Sequence, residues 1–143
     1  NAVLVIDEAQ NLSDRQLEQV RLLSNLETSQ EKLLQIVLLG QPELLKKLSK
    51  FETRQIRQRI FVKHHLSPLA KHEVRRYVEF RLYKAGIEDI IILPQGYQLI
   101  YQFSRGIPRL INMLCDRVLL YGFAREKKVF GQDVFQACIE ELK

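Results

Sequence analysis

The chain has 143 residues, 46% of them hydrophobic and 27% charged, with a net charge of +5. That balance describes a soluble, globular protein with enough apolar mass for one domain or two small ones. No apolar run approaches the ~20 residues that cross a bilayer, and no signal peptide opens the chain. Residue 1 stands almost inside a strand, so the sequence reads as a piece of a longer protein. Cys115 and Cys138 both fall on apolar faces of predicted helices. They read as buried, reduced thiols in a reducing compartment rather than as a disulfide framework or a metal site.

Residues 2–6, Ala-Val-Leu-Val-Ile, form a short, fully apolar, partly β-branched run. It predicts a strand of a parallel sheet buried on both faces. Asp7 and Glu8 follow without a spacer. In an open α/β sheet, ligands bind at the carboxyl ends of the strands, so acidic chemistry belongs at this position. Hydrophobes followed by Asp-Glu form the Walker B pattern of nucleoside triphosphatases, in which the Asp holds Mg²⁺ through water and the Glu handles the attacking water. The alternative is a strand end whose carboxylates cap the next helix or face solvent.

Ser13 and Gln16 form a capping box that starts a helix near Asp14. Leu17, Val20, Leu23 and Leu26 make one stripe along it, and 27–33 reads as a loop. Residues 34–39, Leu-Gln-Ile-Val-Leu-Leu, predict a second strand ended by Gly40. Gln41 stands at its tip, and Pro42 opens a short helix carrying Leu44, Leu45 and Leu48. A further short helix is expected over 52–58, and a third strand over 60–66, beginning Ile-Phe-Val. Ser67-Pro68 is the candidate hinge.

Beyond the hinge the period is helical throughout. Val74, Tyr77, Val78, Leu82 and Ala85 share a face ahead of Gly86. A loop through 90–93 leads to Pro94 and a helix with Tyr97, Ile100 and Tyr101. Pro108 opens the next helix, with Ile111, Leu114, Cys115, Val118 and Leu119 inward. The last helix carries Val134, Phe135, Cys138, Ile139 and Leu142.

Several residues bear on Asp7 and Glu8. Gln41 is a polar group at a strand tip beside a Walker B strand, where it can meet a γ-phosphate and the attacking water; the alternative is an ordinary turn residue before proline. Arg57 and Arg59 precede the third predicted strand, where an arginine offered from a subunit edge can stabilise phosphoryl transfer in a neighbouring subunit. Pro108 puts Arg109 in the first turn of a helix, where the macrodipole disfavours a cation. A bound phosphate or a nearby carboxylate would compensate it. The basic residues from Lys46 to Lys84 meet few acids and suggest either a nucleic-acid or membrane surface or plain solvated helix faces. Aromatic residues do not alternate with them as a base-stacking platform requires. His64, His65 and His72 have no partners at metal-ligand spacing and read as structural.

Together these stretches resemble an AAA+ ATPase that begins at its Walker B strand. The likeness runs through Val-Leu-Val-Ile-Asp-Glu-Ala-Gln, Leu-Leu-Gly-Gln-Pro-Glu-Leu, Ile-Arg-Gln-Arg-Ile and Gly-Ile-Pro-Arg-Leu-Ile-Asn. More narrowly, it is similar to the general secretion pathway protein A (ExeA-type) ATPases at 6–13, 22–28, 40–44 and 106–116. The resemblance implies an α/β fold: a partial AAA+ parallel-sheet core of three strands at 1–66, then an all-α four-helix lid at 67–143. It implies ATP and Mg²⁺ as cofactors, with Asp7 as the metal-water ligand, Glu8 as catalytic base, Gln41 as sensor 1 and Arg109 as sensor 2. Arg59 becomes the trans-acting finger, with Arg57 as runner-up.

The implied partners are further copies in an AAA+ oligomer and secretion-system or other envelope-assembly proteins. The implied location is the cytoplasmic face of the bacterial inner membrane, with membrane contact only through segments outside this chain. A second reading is a DNA-binding ATPase of the transposition-helper or origin-recognition kind. The departure from the family pattern is the phosphate loop: no Gly-x-x-x-x-Gly-Lys-Ser/Thr occurs in these residues. The strand that normally lies between the second and third strands is missing as well. The piece by itself is therefore expected neither to bind ATP tightly nor to hydrolyse it, and to associate through exposed strand edges.

Overall fold

A computed structural model describes residues 2–25, 33–89 and 91–142. The expected loop at 27–33 therefore lies outside the described residues except for Leu33, and so do Leu26 and Ile90. The chain divides into two compact units, Asn1–His65 and Leu66–Lys143.

The first unit is built on two parallel strands, β1 (Ala2–Ile6) and β2 (Leu34–Leu38), in register from Ala2↔Leu34 to Ile6↔Leu38. Between them a single 3₁₀ turn (Ala9–Asn11) leads to α1 (Asp14–Leu23). The capping box is formed: the Gln16 amide donates to Ser13 Oγ at 3.2 Å, and the Ser13 amide donates to Gln16 Oε1 at 2.8 Å. Two short helices follow β2: α2 (Pro42–Leu48), with proline in its first turn, and α3 (Arg54–Arg59). Buried Thr53 ties them, its hydroxyl donating to the Lys47 and Lys50 carbonyls at 2.9 and 3.1 Å. Ala9, Leu17, Val20, Leu44, Leu48 and Ile56 form the core, with Ile6, Ile36 and Leu38 of the sheet packed against it. Leu23, expected in the α1 stripe, ends the helix in solvent.

Two expectations are corrected here. The strands are covered on one face only: Val3 and Val5 are 60% and 54% exposed, and Val37 and Leu39 share their exposure at 41% and 45%. Strand alternation sends Ile6, Ile36 and Leu38 inward and these four outward, and among the described residues no second layer of the unit lies over the outer side. The third strand does not form. Residues 60–66 carry no strand ladder, and a strand needs neighbouring N–H and C=O groups to pair with. Among the described residues the sheet holds only β1 and β2.

The second unit is helical: α4 (Lys71–Lys84), α5 (Pro94–Ser104), α6 (Pro108–Ala124) and α7 (Gln132–Glu141). α4 stops in a Schellman turn, with the Ile87 amide on the Leu82 carbonyl and the Gly86 amide on the Tyr83 carbonyl, both at 3.0 Å. Residues 91–93 run beside Phe130 through an Ile92↔Phe130 bridge, which joins the entry of α5 to that of α7. Val74, Val78, Ile100, Ile111, Leu114, Val118, Val134, Phe135 and Cys138 make the core. Cys138 is buried and Cys115 half-buried; both are free thiols. Among the described residues no helix is long and apolar enough to cross a membrane.

Candidate functional site

Parallel pairing brings the ends of β1 and β2 side by side, so residues 7–10 and 39–41 meet at one sheet edge. The ladder continues past the strands: Leu39 donates to the Ile6 carbonyl at 2.9 Å, and Ala9 donates to the Leu39 carbonyl at 2.8 Å. Between these bonds the chain turns sharply. Glu8 adopts a left-handed conformation, φ 52° and ψ 36°. That region costs a non-glycine residue about 1–2 kcal/mol, and such departures concentrate where a side chain must be aimed. The turn is held by the Glu8 amide donating to Asp7 Oδ1 at 2.8 Å and by the Asn11 amide on the Glu8 carbonyl at 2.9 Å. Asp7 and Glu8 are both exposed.

Gln10 connects the two strand ends. Its Nε2 donates to Glu8 Oε2, and its Oε1 accepts the Gln41 amide at 3.1 Å. Its carbonyl and that of Leu12 both accept Lys47 Nζ from α2, at 2.6 Å each. Gly40 leaves room for this side chain: a Cβ there would stand 2.8 Å from Gln10 Oε1 and 3.0 Å from Leu44 Cδ2. Sequence reasoning missed both Gln10 and Lys47. Gln10 does stand in step with Glu8, two residues on, but Lys47 carries no local signal of its fold-level partner.

Gln41, at the N-terminus of α2, is exposed and engaged through its backbone amide. Arg57 and Arg59 lie exposed on α3 of the same unit. Arg57 reaches the Ser49 carbonyl at 3.3 Å, and among the described residues no ion pair joins either arginine to a carboxylate.

Arg109 belongs to the second unit, in the first turn of α6 immediately after Pro108. It is exposed, and the salt-bridge alternative finds no carboxylate partner among the described residues. The turn that presents it combines Arg105 at φ 51° with Gly106 at φ 81°. Gly106 packs on the entry to α4, its carbonyl accepting the Leu69 amide at 2.8 Å.

The basic residues from Lys46 to Lys84 are exposed apart from partly buried Lys47, as solvated faces would be, and four of them lie over aromatic rings. Arg54 sits over Phe51, Arg75 over Tyr97, Arg81 over Tyr77 and Lys84 over Phe80, at 5.0, 5.2, 5.9 and 5.6 Å from the ring centroids. Arg75 also binds Glu79 at 2.7 Å. These cations are spent on rings and carboxylates of their own chain, and each covers a ring face that a base would need. Burial pushes the Tyr97 hydroxyl up to about 12, reinforced by Glu79, and the half-buried Cys115 thiol up to about 12.

Residues 1–48 match a family model described as an AAA domain. Asp7, Glu8 and Gln41 fall within that match; Arg59 and Arg109 lie outside it. The chain is also similar to general secretion pathway protein A of Aeromonas hydrophila, 48% identical over 140 residues. That alignment covers 97% of this chain and 26% of the relative, so the chain spans about a quarter of that protein. The resemblance to general secretion pathway protein A is thereby borne out over nearly the whole chain.

Proposed function

We propose that this chain, similar over nearly its whole length to general secretion pathway protein A, is part of the ATP-hydrolysing AAA+ module of a secretion-pathway assembly ATPase. The observation that carries the reading is the placement of Asp7 and Glu8. They stand exposed at the carboxyl end of β1, Glu8 hydrogen-bonded through Gln10 to the tip of β2, inside the residues that match the AAA domain. The donor set fits a hydrated Mg²⁺: a carboxylate whose Oδ1 is fixed by the Glu8 amide keeps its other oxygen for a metal-bound water. When bound, the metal supplies positive charge against the phosphates.

The chain's own residues divide the remaining work. Glu8 orients the attacking water and takes its proton. Gln41 contacts the γ-phosphate side of the nucleotide. Arg109, a cation at a helix start with no carboxylate partner among the described residues, answers to the nucleotide phosphates and reports their state to the helical unit acting as a lid. Arg59, or Arg57 beside it, serves the neighbouring subunit of an oligomer, where its charge stabilises the transferring phosphoryl group. Domain roles follow: 1–66 as the second half of the ATPase core, 67–143 as the lid. The work of the full-length protein is assembly of a secretion channel at the inner face of the bacterial inner membrane, with envelope proteins as partners.

Residues 1–143 contain no phosphate loop, and with it go the backbone N–H groups and the lysine that cradle phosphates. This stretch alone is therefore inactive. The test uses the full-length protein. Glu8→Gln keeps ATP binding and lowers turnover by about a hundredfold or more; turnover at the parent rate removes Glu8 from the role.

A further inference from the structure

We infer that Gln10 positions Glu8, its side-chain amide coupling the Glu8 carboxylate to the tip of β2. The inference rests on the ATPase reading above, in which Glu8 is the base. One planar amide reaches both groups: Nε2 donates to Glu8 Oε2, and Oε1 accepts the Gln41 amide at 3.1 Å. The two ends of the amide cannot be exchanged. An ionised carboxylate only accepts and a backbone N–H only donates, so the partners dictate which end faces which. A glutamate at position 10 would satisfy the Gln41 amide but present an acceptor to an acceptor.

The amide is held from behind as well. Lys47 Nζ binds the Gln10 and Leu12 carbonyls at 2.6 Å each, fixing the 3₁₀ turn to α2. Gly40 has no side chain where one would press on Gln10 Oε1 from 2.8 Å. Glu8 itself is a long, exposed side chain with several rotamers open to it. Held through Oε2, the carboxylate keeps one orientation and leaves Oε1 to face a water. Because the same amide holds the Gln41 backbone, a shift of the 40–41 turn pulls on the Glu8 carboxylate. Gln10 is thus a positioning residue that links the tip of β2 to the aim of the base.

The test is ATP turnover by the full-length protein, in steady state and single turnover, for Gln10→Met, Gln10→Glu, Glu8→Gln and the doubles with Glu8→Gln. Gln10→Met loses both bonds; Gln10→Glu keeps the acceptor for Gln41 and loses only the donor. Both Gln10 variants should lower kcat about tenfold or more while KM for ATP moves by less than about twofold. Neither should slow the residual rate of Glu8→Gln any further, because a residue that acts through Glu8 has nothing left to position. Unchanged kcat in both, alongside a slow Glu8→Gln, overturns the role of Gln10 and leaves the ATPase reading standing. An equal loss in the Glu8→Gln background also overturns it, since Gln10 then acts on the fold and not on the base. Full turnover by Glu8→Gln overturns the ATPase reading, and this inference with it. If Gln10→Met does not fold, Gly40→Ala, which presses on Oε1 from the strand side, takes its place with the same expectation.

Discussion

Gly106→Ala is the substitution whose cost the structure states most directly. The residue is buried between α5 and α6, at φ 81°, and a Cβ built on it would lie 2.0 Å from the Leu69 carbonyl oxygen and 2.9 Å from the Leu69 amide nitrogen. The obstacle is backbone, so no rotamer change relieves it. An alanine in the left-handed region gives up about 1–2 kcal/mol. Pushing the α5–α6 turn away from the entry to α4 adds about 1–3 kcal/mol of packing strain. It also stretches the bond from the Leu69 amide to the Gly106 carbonyl, now 2.8 Å, whose loss costs about 1 kcal/mol. Allowing for relaxation, a net loss of about 3 kcal/mol is expected in the second unit. Native-state hydrogen exchange reads that unit separately from the first. The slowest amides of α5 and α6 should exchange roughly a hundredfold faster, since 1.4 kcal/mol is about tenfold. A change below about threefold would refute the steric reasoning. Arg109 stands three residues on, so the same substitution should also slow ATP turnover in the full-length protein.

Three further outcomes follow from the structure and from the reading proposed for it. Burial raises the Cys115 thiol from 9.0 and the Tyr97 hydroxyl from 10.0, each to about 12, and Cys138 shifts the same way. Folding then retains protons that the unfolded chain has released. The associated stability is complete below pH ~9 and is lost as the pH climbs toward ~12; denaturant midpoints at pH 8, 10 and 11 should fall in that order, and a flat series refutes it. Residues 1–143 alone should show no micromolar affinity for ATP·Mg²⁺ by titration calorimetry, and a measured micromolar Kd removes the argument from the missing phosphate loop. The exposed outer face of Val3, Val5, Val37 and Leu39 should drive these 143 residues to associate as concentration rises; a clean monomer in light scattering at high concentration counts against that.

Much of this was legible because its causes are local. Apolar runs ending at Asp7 and at Gly40 mark two strands, Ser13 with Gln16 caps α1, and Gly86 ends α4, each within a few residues of its signal. The helical faces of the second unit follow the 3.6-residue period, and Ile111, Leu114, Val118, Val134, Phe135 and Cys138 are buried as that period requires. The sequence by itself also places two carboxylates at a strand's carboxyl end and an arginine directly after the proline that opens a helix, because proline and strand length settle those positions without reference to distant residues.

Tertiary structure alone decided the rest. An apolar run does not say how many layers will cover it, so β1, read as buried on both faces, is bare on one. Residues 60–66 have a strand's composition, but a ladder is a property of two segments, and among the described residues no neighbour pairs with them. The bond from Gln10 to Gln41 spans 31 residues and those from Lys47 to the 3₁₀ turn span 35 and 37. Such contacts arise only once β1 and β2 lie parallel and in register, which brings two turns far apart in the chain to the same sheet edge. Composition set out the acids; the register of two strands gave Glu8 its neighbours.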